Sequence, residues 1–215
     1  MMDDFIEELK EDLREEKARA LWAKYGRQFL IGVAIVLGIA AAWVGVRQWR
    51  ESVHESAADR FLAAQSAFAK GDHHQAVEQW QSLAKDNDNT YRTLARLRLA
   101  TIEATALQER VKLYKDIAVD QSLPSSIRDY SRFMSILMQS NVAAKEELSN
   151  LLEDLKPLLV ETCSLAPLAN EMAALILKQM GDNAAAKAHL EVILAMPDIS
   201  PAVRARAKVF LNQLG

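Results

Sequence analysis

The distribution of apolar residues divides the chain into two regions. An uninterrupted apolar run extends from Phe29 to Val46, and no residue between Gln28 and Val46 is charged. A helix of that length would extend about 28 Å, close to the roughly 30 Å hydrocarbon core of a bilayer. After Ala57, apolar residues recur in helical segments separated by short breaks. The pattern therefore predicts one membrane-spanning helix followed by a helical domain.

Aromatic residues mark both ends of the apolar run. Trp22 and Tyr25 precede it, and Trp43 and Trp49 lie at its far end. Indole and phenol rings favour the headgroup region of a bilayer. We therefore interpret residues 28–47 as a transmembrane helix with these four aromatic residues at its interfaces.

Two other interpretations of the run stay open. A cleavable signal peptide is one, because Ala40-Ala41-Ala42 offers small residues for cleavage. A buried helix of a soluble protein is the other. We favour an uncleaved anchor, because a long acid-rich segment precedes the run, whereas a signal peptide begins with a short basic region.

Basic residues near the ends of the span predict its orientation. Lys and Arg close to a span resist translocation. Arg14, Lys17, Arg19, Lys24 and Arg27 precede the span, against Arg47, Arg50 and Arg60 in the matching window after it. We expect residues 1–27 in the cytoplasm, residues 48–56 as a juxtamembrane segment, and residues 57–215 on the outer side of the membrane.

The segment 1–27 has the charge order of an amphipathic helix. Its acids cluster early and its bases late, which matches the helix macrodipole, and an apolar stripe is formed by Phe5, Ile6, Leu9 and Leu13. It is either a solvated helix or a docking helix for a cytoplasmic partner.

The region after the span contains an internal repeat. Helical segments begin near Ala57, Tyr91, Pro124 and Pro167, each followed by a break and a second helical segment. Gly and Pro are scarce, at 7 and 5 residues, which is typical of helical proteins. The predicted fold is all-α: an α-solenoid of about four helical hairpins after the N-terminal and transmembrane helices.

The first and last units share turn and packing positions. Gly71-Asp72 and Gly181-Asp182 are expected to end one helix and cap the next. Small and core-filling residues follow in register: Ala64, Ala76 and Trp80 in the first unit, and Ala174, Ala186 and Leu190 in the last. These positions resemble the tetratricopeptide repeat. In the degenerate middle units, we expect the turns near Leu107-Gln108 and at Gln139-Ser140-Asn141.

A final helix is expected to cap the repeats. Ser200-Pro201 forms an N-cap and first-turn pair, and one stripe is formed by Val203, Ala207, Phe210 and Leu214. A terminal helix of this kind covers the apolar face that the last repeat would otherwise expose.

The whole arrangement resembles one bacterial family. A short charged helix ending LWAKYG, one span and degenerate repeats is similar to the tetratricopeptide ancillary subunit of the SecYEG translocon, and residues 89–100 resemble its NTY..LA.L.LA segment. The resemblance implies an inner-membrane protein with a periplasmic TPR-like domain. It also implies as partners the translocon subunits, a periplasmic chaperone and client polypeptides.

Motifs for catalysis, cofactors and nucleic acid are missing from the sequence. With 26 basic and 29 acidic residues the net charge is −3, and no basic cluster stands out. There is no Gly-rich phosphate loop, nucleophile elbow or Cys/His metal pair. His73 and His74 are expected in a polar turn, Cys163 in a packed core, and residues 86–90 in a capping loop, because Tyr91 stands where a calcium loop requires Gly. We expect no enzymatic activity, metal or cofactor.

Binding is the remaining function, and the hairpins predict its location. The first helix of each pair lines the concave face of such a stack. The predicted groove residues are Phe61, Gln65 and Phe68, then Leu94, Leu97 and Thr101, then Leu168, Glu171, Leu175 and Lys178. The alternative is that they pack against neighbouring helices or the terminal lid. In the span, a small-residue face of Ala34, Gly38 and Ala42 would allow another helix, including a second copy, to approach.

The predicted function is non-enzymatic. A membrane-anchored interaction protein would help pass secreted or membrane proteins from the Sec translocon to periplasmic chaperones. The alternative is an envelope scaffold in cell-wall or division complexes that binds no client chain. The reverse topology would make the repeat domain a cytoplasmic adaptor.

Overall fold

The computed structural model describes the backbone of residues 2–102 and 105–214, and side chains within those ranges from residue 22 onward except 23, 26, 28, 29 and 33. All regular secondary structure in these ranges is helical, which confirms the all-α prediction for them. The helices are α1 (Met2–Ala69), α2 (His73–Leu83), α3 (Asn89–Thr101), α4 (Leu107–Val119), α5 (Ser125–Ser140), α6 (Leu148–Leu155), α7 (Ala166–Met180), α8 (Asn183–Ala195) and α9 (Pro201–Gln213). Short 3₁₀ turns, Lys145–Glu147 and Lys156–Leu158, flank α6.

The chain divides into two compact units, Met1–Ser56 and Ala57–Gly215. The first unit belongs to α1. Among the described residues, one helical stretch, Leu30–Ala69, contains a window long and apolar enough to cross a membrane, with a mean hydropathy of 2.1 and no part of that window buried. The side chains of the predicted N-terminal stripe, Phe5 to Leu13, lie outside the described residues.

The second unit consists of consecutive helices packed in chain order. From α2 to α9, each α-helix contacts the next one along the chain. The C-terminal part of α1, from Ala57, packs with α2 and α3 through a shared core. The helices predicted to begin near Tyr91, Pro124 and Pro167 are present, as is the final helix α9. The start predicted near Ala57 was wrong, because α1 continues through this position without a break.

The turn predicted near Leu107-Gln108 was wrong. These residues are the first two of α4, and α3 ends earlier, at Thr101. No glycine is available there, and Ile102 leaves the helix through extended backbone at φ −87° and ψ 127°. The turn predicted at Gln139 to Asn141 is close to the observed end of α5 at Ser140.

The two Gly-Asp turns have the same geometry. Gly71 and Gly181 adopt φ of 88° and 92°, a left-handed conformation that side-chain-bearing residues rarely adopt. The N–H of Asp72 donates to the Ala67 carbonyl, and that of Asp182 to the Leu177 carbonyl, at 3.0 and 2.9 Å. Each aspartate side chain then accepts from the backbone N–H of the third residue of the next helix, so one dipeptide ends one helix and caps another.

Three clusters form the core of the second unit. The first contains Ala57, Phe61, Ala64, Ala67, Ala76, Trp80, Leu83, Ala95 and Leu99. The second lies among α5, α6 and α7, and the third joins α7, α8 and α9. Ala64, Ala76 and Trp80 of the first unit and Ala174, Ala186 and Leu190 of the last are all at most 1% exposed, which confirms their predicted core register.

Arginines at the fourth position of three helices hydrogen-bond to the segment that precedes each helix. Arg92, Arg128 and Arg204 are each the fourth residue of their helix, and each donates to the loop or helix end that precedes it. Arg204 reaches the carbonyls of Leu194 and Met196 at 3.3 and 3.4 Å, satisfying acceptors at the end of α8. The sequence analysis did not identify this recurrence.

Replacing Gly181 should destabilise the last pair through its backbone alone. A Cβ there would meet no atom within 4 Å, so Gly181→Ala introduces left-handed strain without a clash. We expect a loss of about 1–2 kcal/mol in the free energy of unfolding. Denaturant unfolding of the full chain in mild detergent measures it. Gly181→Asn is the matched control and should lose less, because Asn tolerates this conformation; an alanine variant as stable as the original would contradict the assignment.

His189 makes the second unit sensitive to acid. Its Nδ1 lies 2.8 Å from Oδ1 of Asn170, whose Nδ2 donates to the Ala166 carbonyl, so the imidazole is the donor. Burial lowers the pKa of His189. The unfolded chain therefore takes up a proton near pH 6.5 that the folded domain accepts only at lower pH, and stability falls as the pH drops below about 6.5.

His189→Gln removes this titration and should flatten the dependence of stability on pH below about 6.5. Thermal unfolding of the full chain across that range is the measurement. His74→Gln is the matched substitution at a histidine whose side chain is 87% exposed, and the slope of the His189 variant is compared with that of this control. An unchanged slope in the His189 variant would exclude this histidine as the cause.

Candidate functional site

The predicted groove residues of α1 have three different environments. Phe61 is only 9% exposed, and its ring centroid lies 6.3 Å from that of Trp80 and 5.8 Å from that of Tyr91. It is a core residue, so its assignment to an open groove was wrong; this face of α1 points at α2 and α3. Phe68 is half-buried against Trp80, with centroids 5.6 Å apart, and Gln65 is exposed.

The groove residues of α3 remain largely accessible. Leu94 is 39% exposed, Thr101 is exposed and Leu97 is half-buried. The helix begins at an Asp88 cap whose Oδ1 accepts the Tyr91 N–H at 2.8 Å. That contact confirms the capping interpretation of residues 86–90.

The groove residues of α7 are partly covered by α9. Arg206 makes a two-pronged contact with the Glu171 carboxylate, with N···O distances of 3.0 and 2.8 Å. Lys178 Nζ lies 5.2 Å from the ring centroid of Phe210. The alternative of packing against the lid thus applies to Glu171 and Lys178. Leu168 and Leu175 remain 36% and 41% exposed.

A row of exposed apolar residues recurs on the first helices of three pairs. Leu94 on α3, Tyr130 on α5 and Leu168 on α7 are 39%, 43% and 36% exposed. Each lies six residues before a fully buried residue of its own helix: Ala100, Ile136 and Ala174. We call these three residues the apolar row. The sequence analysis missed Tyr130.

The first unit presents a second exposed surface. Ala34, Gly38 and Ala42 are exposed, and a Cβ at Gly38 would meet nothing within 4 Å. The four predicted interface residues are also exposed: Trp22 by 60%, Tyr25 by 49%, Trp43 by 66% and Trp49 by 64%. Apolar and aromatic surface this extensive is typical of contact with lipid or another protein.

The polar residues considered for chemistry are dispersed. His73 and His74 are exposed at the start of α2, and Cys163 is a free, buried thiol whose Sγ lies 3.9 Å from Asp129 Oδ2. No group of three or more His, Cys, Asp or Glu side chains that could hold a metal ion occurs in the part of the chain that the structure describes. What the described surfaces offer is apolar contact.

Comparison with protein families gave one match. The model of a tetratricopeptide repeat-like domain matches residues 19–109, which include the apolar stretch of α1 and the helices through the start of α4. Neither the curated proteins nor the solved structures gave a match. A TPR-like domain is a protein-interaction module, and its presence supports a role in protein–protein interaction.

Proposed function

We propose that this is a non-enzymatic, single-pass inner-membrane protein that carries a TPR-like solenoid in the periplasm beside the protein-translocation channel. There it contacts emerging polypeptides and passes secreted or membrane proteins to a periplasmic chaperone. The observation that carries the proposal is the presence, in one chain, of an unburied apolar helical window and a TPR-like domain.

The exposed apolar window supports the membrane anchor. Burying apolar surface is worth roughly 25 cal/mol per Å², so a helix whose apolar window is 0% buried is stable in lipid and unstable in water. The aromatic residues at both ends support a span of about residues 28–47. The bias of basic residues supports a cytoplasmic N-terminus.

The apolar row supports the client-binding role. Leu94, Tyr130 and Leu168 lie on three successive first helices, where the concave face of a TPR-like stack would be. Partly exposed apolar side chains suit an unfolded segment, which offers apolar groups without a fixed shape. The resemblance of residues 89–100 to the translocon subunit supports the channel as neighbour.

The membrane anchor and topology are tested together. We expect the full chain to resist carbonate extraction from vesicles, because the span is inserted in lipid. External protease should cleave the repeat domain in spheroplasts, because that domain faces the periplasm. Extraction by carbonate would reject the anchor, and complete protection of the repeat domain in intact spheroplasts would instead support the cytoplasmic adaptor.

Photocrosslinking tests the apolar row in cells. A crosslinker at Tyr130 should capture channel subunits or nascent secreted chains, and Leu94→Ser with Leu168→Ser should reduce capture severalfold. Because each leucine is more than half buried, the double variant also loses some stability, so capture is measured well below its unfolding temperature.

The matched control uses the second helices of the pairs. Val119 on α4 and Val192 on α8 are 65% and 47% exposed, and serine at both should leave capture unchanged. Equal loss in both double variants would mean that the row has no special role. Capture of cell-wall or division proteins, with no channel subunit or nascent chain, would favour the envelope scaffold.

A further inference from the structure

The C-terminal end of the apolar window carries a tryptophan followed by two arginines. Trp43, Arg47 and Arg50 follow one another at spacings of four and three residues. These spacings place all three on one face of the helix. Trp43 is 66% exposed, the Arg47 side chain is 66% exposed, and Arg50 is also exposed.

We propose that Trp43, Arg47 and Arg50 bind the phosphate of an anionic phospholipid headgroup. The inference rests on the proposed span, which brings this face to the membrane surface. An indole ring at the interface lies beside the glycerol region, and a guanidinium about one turn further along the helix reaches the phosphate.

The two arginines favour specific binding of a phosphate group over non-specific electrostatic attraction to the membrane surface. A guanidinium presents a planar fork that matches phosphate oxygens in pairs, whereas a lysine acts as a point charge. At the other end of the window the described cations are Lys24, whose Nζ lies 5.2 Å from the ring centroid of Tyr25, and Arg27, so one guanidinium rather than a pair is described there. A lipid with a net negative headgroup complements two adjacent arginines better than a zwitterionic one.

Glu51 limits the strength of this site. Its Oε1 accepts from Arg47 Nε at 3.0 Å, while its side chain is 60% exposed. The contact uses one nitrogen of the guanidinium and leaves the two terminal nitrogens for a phosphate. The carboxylate also repels an anion, so its removal should strengthen lipid binding.

The test uses the full chain in nanodiscs of phosphatidylethanolamine with a minor share of phosphatidylglycerol. Native mass spectrometry gives the share of phosphatidylglycerol among the lipids retained by the protein, relative to its share in the bilayer. We expect a ratio clearly above one. Arg47→Gln with Arg50→Gln should lower the ratio to about one, because each arginine near an anionic surface contributes about 1 kcal/mol, or about fivefold in affinity.

Three further variants separate specific binding from net charge. Arg47→Lys with Arg50→Lys keeps the charge but loses the forks, and should retain only part of the enrichment. Glu51→Gln should raise it, and Arg98→Gln on α3 is the matched control that should leave it unchanged. A ratio of one for the original chain, or an equal ratio in the double glutamine variant, would overturn the site. Carbonate extraction of the original chain would instead reject the span itself.

Discussion

Removal of apolar helix surface from water is the constraint on which this structure depends. Two tryptophans of the same chain differ in how much of their surface the protein itself covers. Trp80 is 1% exposed because α1, α2 and α3 enclose it, whereas Trp43 is 66% exposed in a part of α1 whose apolar window is 0% buried. The first side chain is stabilised by protein packing. The second is left in water unless lipid or another protein covers it, and under the proposed span lipid does so.

Helix ends are the second constraint, because short helices have a large share of unpaired backbone groups. Asp72, Asp88, Asp182 and Ser200 cap α2, α3, α8 and α9 with side-chain acceptors. The helices α4, α5 and α7 begin without such a hydrogen bond. The pairs with capped second helices are the first and last, the same pairs whose repeat register was readable from the sequence. In the middle pairs, the second helices α4 and α6 lack a side-chain cap, and the repeat pattern of the sequence is also weak there.

Much of the fold could be predicted because its signals are local. A glycine at positive φ followed by a capping aspartate specifies a helix break within two residues, and both such breaks were found. No such signal marks the end of α3 at Ile102, so the turn was predicted too late in the chain, near Leu107. Periodicity also could not decide whether Phe61 or Leu62 faced the core, since neighbouring helical positions differ by about 100°. The packing of α2 and α3 buries Phe61 and leaves Leu62 at 62% exposure. Tyr130 was missed because its pair has no glycine turn to set the register.

The apolar row also limits how strongly the domain can bind. Its three side chains are about two fifths exposed, so covering them completely would yield only about 2–4 kcal/mol in total. An affinity from that source alone corresponds to a dissociation constant of about 1 mM or weaker, before any cost of ordering the ligand. A short tether produces effective concentrations of about that size. Under the proposed function, a domain held at the membrane would occupy such contacts near the site of chain emergence and release them elsewhere, so weak apolar contact would depend on the anchor.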